Sequence, residues 1–165
     1  MLALTSSGGS IGQTGGSITA GSAALNADTG ISLTAGSIGS LEATNNASGN
    51  ISVTGMSGSL TAGAGGINNA AAAGNVTLAT TGALSLAGDV TVQPGQTISL
   101  SGGTIGSTGG NPVADTLLLS SVNGATLNNI TANRLSAVNT GAGNINLSVQ
   151  NDVEIFGAGL TNAGG

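Results

Sequence analysis

Gly30-Ile31-Ser32-Leu33 returns as Asn50-Ile51-Ser52-Val53 and again as Asn75-Val76-Thr77-Leu78. Later copies read Gln96-Thr97-Ile98-Ser99-Leu100 and Asn144-Ile145-Asn146-Leu147. Within a copy the alternation has period two. Ile31 and Leu33 face one way, Ser32 and Thr34 the other, which is the pattern of a half-buried strand. A phrase recurring at about twenty residues marks a solenoid, in which each copy stacks on the next.

The first apolar residues of the strong copies are Ile11, Ile31, Ile51, Val76 and Ile98, at steps of 20, 20, 25 and 22. A second apolar column, Ile18, Ile38, Leu60, Leu84 and Ile105, follows at offsets of 7, 7, 9, 8 and 7. Extending both columns adds Leu119 with Leu127 and Ile145 with Val153, each at offset 8, with first-column steps of 21 and 26. This predicts about seven coils of 20–26 residues over one segment, 1–165. β-Branched residues fill the strands, and Gly, Asn and Asp sit where corners need a positive φ. No copy is followed by a tight turn and a reversed copy, so hairpins are excluded and each copy pairs in parallel with the next. Parallel crossovers favour right-handed winding. The expected fold is all-β: a right-handed parallel β-helix, roughly 35 Å long for seven coils at about 4.8 Å each. Asn69–Gly74 is the one helix-like patch, too short to hold alone. It falls in the longest step and reads as an inserted corner. Asn50, Asn75 and Asn144 occupy corners where amide ladders form in stacked sheets, or where Asn simply tolerates the turn.

Composition narrows the function. The chain of 165 residues has 31 Gly, one Phe and no Trp, Tyr, Cys or His. Its core is therefore a thin file of Ile, Leu, Val and Ala. Low charge with many small polar residues also suits disorder, but the strict placement of the apolar residues speaks against it. The single basic residue, Arg134, excludes nucleic acid, whose affinity rests on many Lys/Arg–phosphate contacts. It excludes attraction to anionic lipid on the same ground. No apolar run approaches the ~20 residues of a membrane span. Met1–Thr5 lacks a basic n-region and an apolar h-region and is no signal peptide. Met1 then reads as an added start, and the finish at Gly164-Gly165 as mid-phrase, on a fragment of a longer chain.

The motifs that suggest chemistry are written by the repeat itself. Gly8-Gly9-Ser10-Ile11-Gly12 matches G-x-S-x-G, but the nucleophile elbow needs a strand–turn–helix context and a base, and there is neither His nor Lys. Six carboxylates occur: Asp28, Glu42, Asp89, Asp115, Asp152 and Glu154. Asp152 and Glu154 are expected to share a strand face, the arrangement from which a glycosidase pair is built. They lack basic or aromatic neighbours beyond Arg134, and no loop gathers the oxygen ligands of a calcium site. The carboxylates read as solvated corner charges. No catalytic, cofactor-binding or metal residue is assigned, and no enzyme is expected. Sequons at Asn46, Asn50, Asn75, Asn129 and Asn146 arise from the strand alternation.

Gly103-Thr104-Ile105-Gly106-Ser107-Thr108-Gly109-Gly110-Asn111-Pro112-Val113 resembles the G-S-I-G-x-x-x-N-P-L phrase of filamentous-haemagglutinin-like adhesins, with Val113 in place of Leu. Gly9-Ser10-Ile11-Gly12 and Gly36-Ser37-Ile38-Gly39 are shorter versions, and Asn144–Leu147 through Ile155 to Gly157 is similar to the strands that follow. The resemblance implies a β-helical shaft from a very large exoprotein. It also implies export by the two-partner secretion route of Gram-negative bacteria, through an outer-membrane transporter, to the medium or the cell surface. Some family members carry sugars on Asn-x-Ser/Thr. The family's secretion-signal domain, receptor-binding tip and toxin domains are not recognisable here. The expectation is a structural stalk whose outward Ser, Thr, Asn and Gly rows touch host glycan or matrix weakly. Two rival readings remain. One is a solenoid binding ice or polysaccharide, for which Thr77 and Thr91 sit among Ser32, Ser52, Ser85, Ser99 and Asn146. The other is a β-helix carbohydrate-active enzyme. No capping end is evident, so exposed coils are expected to associate end to end.

Overall fold

The computed structural model describes residues 1–164, which form sixteen strands and no helix. Every strand pairing is parallel and joins one turn to the next. The chain is a β-solenoid.

Three sets of inward columns define three sides. Side one stacks Ile11, Ile31, Ile51, Val76, Ile98, Leu117, Leu135 and Ile155. Side two stacks Leu2, Ala23, Leu41, Ala62 and Leu86. Beside them on side two lie Leu60, Leu84, Ile105, Ala125 and Ile145. Side three stacks Leu4, Leu25, Ala43, Ile67, Val90 and Pro112, and closes with Ile130 on Val149. The eight members of side one count eight turns, close to the seven expected. Ile51, Val76, Ile98 and Leu117 are wholly buried. Each such side chain contributes about 1.5–3 kcal/mol by leaving water.

The register departs from the sequence columns in two places. Ile18 lies opposite Gly36, while Ile38 lies opposite Ala20. After Ile98 the first column continues through Leu117, Leu135 and Ile155, at steps of 19, 18 and 20; Leu119 stacks on Leu100. Ile145 belongs to side two, on Ala125. Ile145 changes side because a corner changes place. Asn45 to Ile51 links side three to side one, whereas the similar run Asn139 to Ile145 links side one to side two. The same phrase therefore opens different sides.

The step of 25 from Ile51 to Val76 also resolves differently. Against the preceding turn, one extra residue enters between Met56 and Thr61, three between Ala62 and Ile67, and one between Asn69 and Val76. Most of the insertion is thus the bulge Gly63-Ala64-Gly65-Gly66 rather than the patch at Ala70–Ala73. That patch is held down by Ala71, which is fully buried.

Tight stacking leaves no space for a side chain at some glycines. A Cβ at Gly36 would lie 2.3 Å from the Ile18 carbonyl oxygen, whereas one at Gly21 would meet nothing within 4 Å. Gly36→Ala is expected to destabilise the coil by about 1–3 kcal/mol through overpacking, and Gly21→Ala to be near neutral. Urea unfolding of the two variants checks this. Equal midpoints would show that the close approach at Gly36 carries no weight.

Candidate functional site

Strand alternation turns small polar residues outward. On side one the outward column runs Gly12, Ser32, Ser52, Thr77, Ser99 and Leu118, and Ser136 above Leu118 is buried. On side two it runs Ser22, Ser40, Thr61, Ser85, Gly106, Thr126 and Asn146. On side three it runs Asn26, Thr44, Asn68, Thr91, Val113 and Thr131. The residues considered as one Thr-like array therefore sit on three different sides: Ser32, Ser52, Thr77 and Ser99 on the first, Ser85 and Asn146 on the second, Thr91 on the third. Within a column these groups bond to each other, as Thr91 Oγ1 donates to Asn68 Oδ1 at 2.9 Å. The surface depressions are open grooves of about 150–320 Å³.

Gly8-Gly9-Ser10-Ile11-Gly12 is a turn running into a two-residue strand, with no helix behind it, and Ser10 is exposed. Most of the carboxylates act as fasteners between turns. Asp28 accepts the Gly8 N–H at 2.5 Å and the Asn46 amide at 3.0 Å. Glu42, on the strand Gly36–Asn45, accepts the Gly65 N–H of the bulge at 2.9 Å. Asp89 accepts the Asn111 N–H at 2.9 Å, and Asp115 accepts the Asn133 amide at 2.9 Å. The reading of these groups as merely solvated is corrected: each meets a polar group of the neighbouring turn. Asp152 and Glu154 do not share a strand. Asp152 lies in the link between the bend at Gln150–Asn151 and the strand Glu154–Gly164, where the Asn151 amide donates to Ala132 O and Asp152 O. Among the described residues no cluster of three or more metal-ligating side chains occurs.

The single cation, a carboxylate and the single aromatic ring meet on side one. Arg134 Nε lies 3.4 Å from Glu154 Oε2, and its guanidinium carbon lies 4.1 Å from the centre of the Phe156 ring. Arg134 stacks directly on Glu154 in the ladder, with Thr116 below. Both ends of the ion pair are exposed, so it is worth at most about 1 kcal/mol. The contact with the ring adds about 0.5–1 kcal/mol.

Three buried asparagines were not foreseen from the sequence. Asn45 Oδ1 accepts the Gly30 N–H at 2.8 Å, and its amide donates to Ser48 O, Gly49 O and Asn69 Oδ1. Asn69 in turn donates to Gly49 O and Asn75 O. Asn139 repeats the design: Oδ1 accepts from Gly124 N and Ser121 Oγ, and the amide donates to Gly141 O, Ala142 O, Gly143 O and Asn162 Oδ1. All three are fully buried, and among the described residues no buried side-chain polar atom lacks a partner. The missed signal was an Asn placed four or five residues before Gly-Asn: Asn45 before Gly49, Asn69 before Gly74, Asn139 before Gly143. Of the two readings of Asn50 and Asn75, amide ladder or tolerated turn, the structure shows inter-turn bonds from side chain to backbone. Asn50 Oδ1 accepts Asn75 N at 2.9 Å, and Asn75 Oδ1 accepts Thr97 N at 2.8 Å. Asn144 stands at a different corner, where its carbonyl receives Ala125 N. Of the sequon asparagines, Asn46, Asn50, Asn129 and Asn146 are exposed and Asn75 is half-buried.

Comparison with known proteins gave no matching family model, no matching curated protein and no matching solved structure.

The Gly8 N–H, and secondarily the Asn46 amide, hold the Asp28 carboxyl below its ordinary value by favouring the ionised form. Because the folded value is the lower one, Asp28 stabilises the fold above the usual carboxylate range. That contribution is lost as pH falls through the lowered value. NMR titration should place the Asp28 midpoint below that of a free aspartate, and Asp28→Asn should flatten part of the acid limb of stability. An unshifted midpoint would remove the Gly8 fastening.

Proposed function

We propose that this chain is a structural stalk segment of a large, secreted bacterial surface adhesin of the haemagglutinin-like kind. It is a stiff spacer that presents binding regions lying elsewhere. The observation that carries this reading is the stack itself: eight turns repeat one set of axis-parallel ladders. In such a stack added sequence becomes added length, about 4.8 Å per turn and about 38 Å for eight turns. The resemblance of Gly103–Val113 to adhesin shaft repeats supports the same reading. In the structure that phrase builds the strand Thr104–Ser107 of side two and opens the strand Pro112–Ser121, which starts on side three and runs on into side one. The outward Ser, Thr and Asn columns are the surface offered to host glycan or matrix. Export would use an outer-membrane two-partner transporter, which passes an unfolded chain; without cysteines, no disulfide has to be managed on the way.

In the isolated chain the terminal turns leave core-column residues uncovered: Leu4 is 38% exposed, Ile155 45% and Leu160 53%. Open parallel edges with apolar columns pair with their like, so isolated segments should stack end to end. Sedimentation over a wide concentration range is expected to show mass rising in whole-chain steps. Small-angle scattering should show a rod that lengthens at constant cross-section. A compact particle, or tight saturable binding of this segment to one receptor, would overturn the passive-spacer reading.

A further inference from the structure

Asn123-Gly124 is the one Asn-Gly pair in the sequence. In a flexible chain this pair deamidates fastest, because glycine places no side chain in the way of ring closure. The Gly124 nitrogen loses its proton to a solvent base and attacks Cγ of Asn123. Ammonia leaves and a succinimide forms. Water then opens the ring at either carbonyl, leaving aspartate or isoaspartate. No oxidant or cofactor is needed, and the Asn123 side chain is exposed to water.

Here the attacking nitrogen is locked. Gly124 N–H donates at 2.8 Å to Oδ1 of Asn139, one turn later and fully buried. Asn139 is hemmed in, since its amide nitrogen lies within 2.9–3.2 Å of three successive carbonyl oxygens of its own corner, Gly141, Ala142 and Gly143, among which its two hydrogens are shared. The next corner also lies against the pair. A Cβ at Gly143 would sit 2.3 Å from Asn123 O, and one at Gly124 would sit 2.8 Å from Asn144 O. Asn123 N is held by Gly103 O at 2.7 Å on the other side. The partner corner uses the same lock, Gly30 N to Asn45 Oδ1, but there the preceding residue is Thr29 and no ring can form.

We infer that Asn123-Gly124 is a self-modification site gated by Asn139: it stays unreacted while the later turns are stacked on it and deamidates irreversibly once they open. The product makes the opening permanent. Isoaspartate adds a methylene to the backbone inside a corner clamped from both sides, and aspartate adds a charge beside the carbonyls of the next turn. The pair thus records loss of stacking at this turn.

The test follows the chain at 37 °C and mildly alkaline pH by peptide mass spectrometry, reading the one-dalton gain and isoaspartate at position 123. Native chain is expected to react at least tenfold more slowly than chain held unfolded in urea, the ratio that corresponds to losing one well-made buried hydrogen bond of about 1.4 kcal/mol. Asn139→Ala should raise the native rate towards the unfolded one, whereas Asn45→Ala should leave position 123 unchanged. Should Asn139→Ala fail to fold, hydrogen exchange of the wild-type Gly124 amide decides, and protection like that of the strand amides is expected. Equal native and unfolded rates, a folded Asn139→Ala with the wild-type rate, or a freely exchanging Gly124 amide would each overturn the inference.

Discussion

Within the stack the strands are paired in parallel with the turn above and the turn below, and that single requirement organises the rest. Parallel ladders fix the rise at about 4.8 Å per turn. At that spacing the corners have no room to splay. Gly36 must lie against Ile18 O and Gly49 against Thr29 O, the latter with φ +83°. The core is thin because each turn buries its Ile, Leu and Val only against two neighbours. No element has an independent core, so a fault in one turn is felt as lost stacking in the next.

Corners are where a ladder would fail, since backbone groups there turn away from their partners, and a buried group left unpaired costs about 1–3 kcal/mol. Short polar side chains take over. Gln13 Oε1 accepts from Thr34 N and Ala35 N of the following turn. Asn50 and Asn75 hand their carbonyls up the stack in the same way. Asn45, Asn69 and Asn139 go further and close their own corner from inside while bonding to a neighbouring turn. Nearly all the ordinary work of charge is missing. Most of the carboxylates face polar groups of an adjacent turn instead of solvent alone.

Much of the fold was legible in the sequence because side one repeats an apolar–polar–apolar step that only a strand satisfies. Ile11, Ile31, Ile51, Val76 and Ile98 stack as their spacing said. Leu60, Leu84 and Ile105 do so as well. The reading failed after Ile105 for a physical reason. Asn139 to Ile145 reproduces the corner phrase at another corner, so a phrase-matching eye assigns Ile145 to the wrong side. Side three escaped notice because its inward residues vary from Leu4 and Ala43 to Pro112, with no constant phrase before them. The buried asparagines were hidden by a general expectation that Asn lies at the surface. Only the count of residues to the following Gly-Asn distinguishes them.

That a corner can move from one junction to another says what the solenoid selects. Inward columns stay apolar along the stack while their size varies, as in Leu41, Ala62 and Leu86, and a void or a clash at any one is felt by both neighbours. Corner identity is not tied to a side, because any corner that satisfies its own carbonyls and gives one acceptor to the next turn is compatible with the ladder. Residues can then enter or leave a turn without disturbing the rise, as the bulge at Gly63–Gly66 does with Glu42 seated against it. The outer surface inherits this freedom. Its columns hold hydroxyls, amides and glycines in register, with Arg134 the one cation and already engaged by Glu154 and Phe156. A partner of the outward columns would therefore be met mainly by neutral hydrogen bonds spread along the stack. Such contacts are individually weak and grow with length, which is the property that adding turns supplies.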